Sequence, residues 1–180
     1  MKTCYEKTSV EWHHATSRED ARIIAGLANE VWTEHYVPLI GADQVVYMLE
    51  RFQSSEQIYL DISENGMHYL WLSTNNKPVA YMAWQEKPAG NCFLSKLYVL
   101  KSHRGLGLAR MMMKELIAVC QKNKYLKIWL TVNKGNSKSI EAYKKMMFSI
   151  RDVVVTDIGG GFVMDDFIME RDLSTYNINN

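Results

Sequence analysis

Apolar positions along the chain change their period several times, and each change marks an element. Val10 to His14 alternates like a short strand. Ala21, Ile24, Leu27, Ala28, Val31 and Trp32 then recur at helical spacing. This helix is preceded by two overlapping capping boxes, Thr16 with Glu19 and Ser17 with Asp20, and Pro38 marks its stop. Asp43 can cap a second helix through Val46, Met48 and Leu49, and a short third one fits around Glu56 to Asp61. Met67 to Ser73 and Val79 to Glu86 read as strands about an Asn75-Asn76 turn, and Asn91 to Leu100 as a further strand interrupted at Ser95-Lys96. Ala109, Met112, Met113, Leu116, Ile117 and Cys120 form the stripe of a helix starting near Gly105. Tyr125 to Val132 is a β-branched and aromatic strand, and Asn136 to Met147 is helical. Ser149 to Ile158 and Phe162 to Glu170 are strands joined by Gly159-Gly160-Gly161, whose tip needs the positive φ that glycine tolerates.

The order is strand, helices, three strands, helix, strand, helix, two strands. Antiparallel hairpins at both ends of a central strand-helix-strand predict an α/β (α+β) fold: a mixed, mostly antiparallel sheet flanked by helices. With 180 residues and no repeat, low-complexity tract or linker, residues 1–180 are expected to form a single domain. The composition, 47% hydrophobic and 23% charged, is too apolar for a disordered chain. No window reaches the roughly 18 uninterrupted apolar residues of a membrane span, and Met1 to Val10 is too polar for a secretory signal. Cys4, Cys92 and Cys120, odd in number and far apart in sequence, suggest neither a disulfide framework nor a metal cluster. His13 and His14, adjacent on a strand, would face opposite sides and suit no common metal. A cytoplasmic monomer or homodimer is the expectation.

The formal net charge is only +1, but it is unevenly spread. Lys96 to Lys145 holds twelve Lys/Arg against Glu115 and Glu141, a balance of +10, while the remainder has nine against eighteen, −9. Solvated helix faces, a polyanion site and a nucleic-acid surface all fit this asymmetry. Base-stacking aromatics are few in the basic stretch (Tyr125, Trp129, Tyr143), which disfavours nucleic acid.

The run Val99 to Arg110 passes from a strand end into a helix start with two glycines and no acid. Free N–H groups and about half a positive charge at the helix start suit a phosphate or pyrophosphate, and Arg104 and Arg110 add charge on either side. It is not a dinucleotide fingerprint, since Arg110 replaces the third glycine, nor a Walker loop, since no Gly-Lys-Ser/Thr follows.

Ser102-His103-Arg104-Gly105-Leu106-Gly107 resembles the Q/R-x-x-G-x-G/A signature of the GNAT superfamily of N-acetyltransferases, with Ser102 at the Gln/Arg position. Asn136 to Phe148 resembles that family's N-x-x-A-x-x-x-Y-x-x-x-G-F segment; Asn136, Tyr143 and Phe148 match, Ser139 replaces Ala and Met147 replaces Gly. The closing run Asp157 to Glu170 is similar to bacterial members related to polyamine acetyltransferases. The resemblance implies acetyl-CoA as co-substrate, lying against Arg104, Gly105, Leu106, Gly107, Leu108, Ala109 and Arg110. Its pantetheine would enter between the strands ending at Val99 and Val132, along Leu97, Tyr98 and Val99, near Asn136 and Ser139. Lys145 is placed for the 3′-phosphate, and Tyr143, itself against the cofactor, stands at the general-acid position. The strand Cys92 to Leu97 lacks the carboxylate that many members carry, which leaves Glu30, Glu34, His35, Glu86 or a water as the base. Trp32, Tyr36, Tyr47, Tyr69, Trp71, Tyr81 and Trp84 are expected near an acceptor pocket, as core or as cation–π surface. A small-molecule or peptide amine is the expected acceptor, a cationic one such as a polyamine, or a peptide α-amine. A non-catalytic acetyl-CoA sensor of the same fold is the competing reading.

Overall fold

The computed structural model describes residues 9–174, so Cys4 and most of the polar N-terminal stretch lie outside it. Along the chain come β1 (Val10–His14), α1 (Arg18–His35), α2 (Val37–Ile40), α3 (Ala42–Phe52), α4 (Ser55–Ser63), β2 (Met67–Thr74), β3 (Lys77–Lys87), β4 (Asn91–Val99), α5 (Leu108–Lys122), β5 (Lys127–Asn133), α6 (Ser137–Lys145), β6 (Ser149–Gly159) and β7 (Phe162–Asp172). Among the described residues seven strands form one sheet in the order β1-β2-β3-β4-β5-β7-β6. Only the β4–β5 pair is parallel; the others are antiparallel, as the two terminal hairpins and the central crossover require.

Of the two possible capping boxes at α1, Ser17 with Asp20 forms: the Ser17 hydroxyl accepts from the Asp20 N–H while Asp20 accepts from the Ser17 N–H. Asp20 also receives the Trp71 indole N–H at 3.0 Å, so one carboxylate ties the helix start to β2. Burial of Ile24, Leu27, Val31 and Trp32, worth about 1.5–3 kcal/mol each, outweighs the cap at about 1 kcal/mol. The apolar face therefore fixes the helix on the sheet, and the cap sets where it begins. Pro38 does not merely stop α1; it occupies the first turn of α2, where a missing N–H costs nothing. In α3 the start is capped by Gly41 rather than Asp43, and Val45, not Val46, turns inward with Met48. Val46 is 53% exposed.

The helices cover the sheet on both faces, which explains why β2 and β3 are buried almost throughout. On one face α5 and α6 pack Met112, Met113, Leu116 and Ile140 against Leu70, Met82, Leu94, Ile128 and Leu130. Cys92 and Cys120, distant in sequence, meet in this layer as buried free thiols. The interaction with Cys120, together with burial, pushes the Cys92 thiol far up. On the other face α1, α3 and α4 pack against Tyr69, Trp71, Tyr81 and Ala83. Among the described residues no helix is long and apolar enough to cross a membrane.

Two irregularities position the site. In β4 the register against β3 slips between Ala83–Lys96 and Trp84–Leu94, making Ser95 the extra residue of a bulge. Cys92 and Leu94 join the α5 layer, whereas beyond the bulge Tyr98 joins the α1 layer. At the β6–β7 tip, Tyr47 of α3 donates to the Ile158 carbonyl at 2.7 Å. A Cβ on Gly159 would lie 2.7 Å from that hydroxyl, so the glycine is needed for this close approach as well as for its φ of +86°.

Candidate active site

The parallel ladder between β4 and β5 holds for only three residue pairs, Asn91–Lys127, Cys92–Ile128 and Phe93–Trp129. Past the bulge the strands part, and Leu97, Tyr98 and Val99 face Thr131, Val132 and Asn133 across a gap without ladder bonds. The gap opens into a cavity of ≈ 740 Å³ bounded by α1, α3, α4, the start of α5, α6 and β7.

At one end lies the turn before α5. Gly105 and Gly107 have φ of +82° and +84°, and Gly107 caps α5 from the left-handed region. No side chain caps α5, and the first helical bond runs from Met111 N–H to Gly107, so the N–H groups of the opening turn have no intrahelical acceptor. A Cβ on either glycine would meet nothing within 4 Å; backbone conformation, not crowding, selects glycine here. Arg104 donates from Nε to the Val99 carbonyl at 3.0 Å and pairs through Nη2 with Glu34 at 2.9 Å, while Lys101 reaches the same carboxylate at 3.3 Å. Burial alone would raise the Glu34 carboxyl, but the two cations outweigh it and hold it below the ordinary value. Together these features make a cradle for an anion.

In the middle stand three phenols. Tyr36, Tyr98 and Tyr143 line the cavity; Tyr36 and Tyr98 are in edge contact at 6.2 Å, and Tyr143 packs on Phe148 at 5.7 Å. Burial raises all three; Tyr36 adds to the effect on Tyr98 and Tyr143, whereas hydrogen bonding with Tyr98 and Asn136 opposes it at Tyr36, and each keeps its proton at neutral pH. Asn136 is 3% exposed and accepts from the Ser139 N–H, fixing the start of α6 and the wall that carries Tyr143. His35 beside it is pushed below the ordinary value by burial and by Arg104, so its imidazole is neutral at pH 7.

Across the gap on β7, Asp166 is 3% exposed, and its Oδ1 has no hydrogen-bond partner among the described residues. Burial raises this carboxyl to about 6, with Asp165 adding to the effect and Thr131 and Lys134 opposing it. In the recess under α3 and α4, Lys96 is 8% exposed, and burial lowers its ammonium to about 8 despite Asp61 nearby.

Of the residues singled out in the sequence, Leu97, Tyr98, Val99, Arg104, Ala109, Asn136, Ser139 and Tyr143 line this one cavity. Gly105, Leu106 and Gly107 belong to the turn at its mouth, Arg110 follows in the first turn of α5, and Leu108 turns its side chain into the core. Lys145 is exposed at the far end of α6 and does not line the cavity; Lys138, one helical turn from Ala142, does. Among the candidate bases Glu34 and His35 line it, whereas Glu30 borders a shallow neighbouring groove and Glu86 sits at the other end of β3, near Tyr125. Only Trp32 and Tyr36 of the seven expected aromatics form its wall. Tyr47 holds the β6–β7 tip, Tyr69 and Tyr81 are core, Trp71 stacks on His13 at 3.8 Å and Trp84 on His68 at 5.3 Å. Asp166, Lys138 and the chemical importance of Lys96 did not stand out in the sequence. The alternation of Met164 with Asp166 on β7, and the break at Ser95, were the available signals.

The model of the acetyltransferase (GNAT) family matches residues 25–148. An uncharacterized N-acetyltransferase of Mycobacterium tuberculosis is 23% identical over 154 residues, 86% of this chain and 98% of that protein. The crystal structure of a PaiA N-acetyltransferase from Thermoplasma acidophilum, in complex with coenzyme A, aligns with a TM-score of 0.78 at 21% identity over 91% of this chain and 99% of that one. The ribosomal-protein-S18-alanine N-acetyltransferase of Escherichia coli aligns with a TM-score of 0.70 at 17% identity over 96% and 99%. At these identities the structural neighbours share the fold.

Proposed function

The chain belongs to the GNAT family of acetyltransferases, and from that premise we propose that it moves the acetyl group of acetyl-CoA onto a primary amine at the β4–β5 gap. The observation that carries this reading is the gap itself. A pantetheine arm bears amides that can take up the backbone groups left without ladder partners, and the start of α5, which no side chain caps, lies at the same opening for the diphosphate. Lys101, Arg104 and Lys138 add positive charge along the wall, and Glu34 holds the arginine in position. Arg110 sits exposed in the first turn of α5.

Acetyl-CoA supplies an activated thioester carbonyl, and the protein manages protons and charge around it. The acceptor arrives as an ammonium ion, a condition met by small cationic amines such as polyamines and by peptide α-amines. Asp166, ionised above pH about 6 and with one oxygen unpartnered, takes the first proton and passes it to solvent. The backbone N–H of Tyr98 or Val99 donates to the carbonyl oxygen as negative charge builds on it. As the C–N bond forms and the C–S bond breaks, nitrogen sheds a second proton and sulfur gains one. Tyr143 donates its hydroxyl hydrogen to the departing sulfur. Because burial makes this phenol a weaker acid than a thiol of ordinary pKa, about 8.5, it stabilises the thiolate by hydrogen bonding and yields its proton only as nitrogen replaces it.

Tyr143→Phe tests the assignment. The expected result is a fall in kcat of about 10²-fold in a thiol-release assay, with the calorimetric Kd for acetyl-CoA within about twofold of wild type. Unchanged turnover removes Tyr143 from the mechanism. A wild-type protein that binds acetyl-CoA and acetylates no amine is the sensor instead.

A further inference from the structure

The recess beneath α3 and α4 contains a cation that acetyl transfer as described does not use. Lys96 stands immediately after the β4 bulge, opposite Ala83 of β3, and Ala83 in turn pairs with Tyr69 of β2. Because alanine leaves space between them, the Lys96 side chain lies across the sheet toward Tyr69, with Nζ 5.2 Å from the ring centroid. Its one hydrogen bond among the described residues is a long one of 3.4 Å to Ser95 Oγ, and no carboxylate lies within 4.0 Å in an ion pair. Asp61, the nearby acid, is already engaged by Gln57 Nε2 at 2.8 Å, Asn65 Nδ2 at 3.1 Å and the Tyr69 hydroxyl at 3.0 Å. An ammonium group this buried with hydrogens to spare is costly unless something anionic comes to it. Lys96 lines the same cavity as the gap, with Gln53 and Gln57 as polar neighbours and Met48, Phe52 and Met67 as apolar wall.

We propose that Lys96 anchors an anionic group, a carboxylate, at the far end of the acceptor, so that the substrate is an amino-carboxylate rather than a polyamine. The inference rests on the acetyl-transfer reading and specifies its acceptor. A polyamine would bring a second cation against Lys96 in a site of low dielectric, where like charges repel strongly. The β4–β5 gap and the Tyr69 ring are about two strand spacings apart, roughly 10 Å. Amine and carboxylate must therefore be several bonds apart, as in an ω-amino acid or a short peptide with a free C-terminus. The apolar spacer then runs along Met48 and Phe52, while Asp166 receives the amine.

Three acceptors of one chain length separate the possibilities: 6-aminohexanoate, 6-aminohexanamide and 1,6-diaminohexane, with a negative, neutral and positive far end. The wild-type kcat/KM is expected to fall in that order, by about tenfold or more between the first and the last. Lys96→Met, close in length and free of the buried charge, should collapse the order, chiefly by raising KM for the carboxylate. A diamine acetylated as well as the carboxylate by wild-type protein, a measurement that needs no variant, overturns the proposal, as does an order that Lys96→Met leaves intact. If none of the three turns over while calorimetry still shows acetyl-CoA binding, the carboxylate assignment fails and the cofactor reading stands. Absence of acetyl-CoA binding removes both.

Discussion

Replacing Asp166 by Asn should make the protein more stable and a poorer enzyme. The carboxyl is 3% exposed with one oxygen unpartnered, and burial raises it from the ordinary 3.8 to about 6. At about 1.4 kcal/mol per pKa unit, holding it ionised in the folded state costs at most about 3 kcal/mol. Water entering the cavity screens part of that, so about 1–3 kcal/mol is the working range. The sign follows from linkage. Below pH 4 the group is protonated both folded and unfolded, and nothing is lost. As pH rises from about 4 to 6 the unfolded chain releases the proton and the folded chain keeps it, so wild-type stability falls; above 6 the deficit is constant. The Asp166→Asn side chain keeps the shape without the charge. Urea unfolding at pH 4, 5, 6 and 8 should therefore show the variant's advantage absent at the acid end and at its plateau by pH 7–8. In parallel, kcat/KM of the wild type should fall below pH about 6, and D166N should lose both that limb and most of the rate. A variant that is less stable at pH 8, with an unaltered rate profile, would refute the account of this carboxylate.

Two further outcomes concern the scaffold. Met147 ends α6 with φ of +68°, a left-handed position where its side chain is 64% exposed, so Met147→Gly should raise stability by about 1 kcal/mol in denaturant melts without changing acetyl-CoA affinity. Gly159→Ala would place a Cβ 2.7 Å from the Tyr47 hydroxyl, breaking its bond to Ile158; a cost of about 1–3 kcal/mol and weakened hydrogen-exchange protection at the β6–β7 tip are expected.

The sequence was most legible where the period was strong and local chemistry agreed with it. The six predicted apolar positions of α1 are the six that are buried, and the Asn75-Asn76 turn takes positive φ at both residues. The glycine turn and Tyr143 stood out for the same reason: a backbone requirement or a motif spacing leaves a mark on residue identity. What was not legible depended on contacts between distant segments. The bulge at Ser95 reverses the facing of the residues after it, and only the pairing with β3 shows that Lys96 turns under α4. Asp166 looks like one more acid in a polar strand until β7 is laid beside β5, which places it opposite Asn133. The meeting of Cys92 with Cys120 needs α5 docked on β4. On α6, Lys138 and Lys145 are equivalent in composition, and only the position of the gap separates the lining residue from the exposed one.

The most direct measurement is the structure of the protein with acetyl-CoA bound. The diphosphate should sit on the N–H groups that open α5, between Gly105 and Arg110, with the pantetheine threaded between Leu97–Val99 and Thr131–Asn133 and the thioester sulfur within hydrogen-bonding reach of Tyr143. A nucleotide seated elsewhere, with the two strands still parted and nothing between them, would contradict the account.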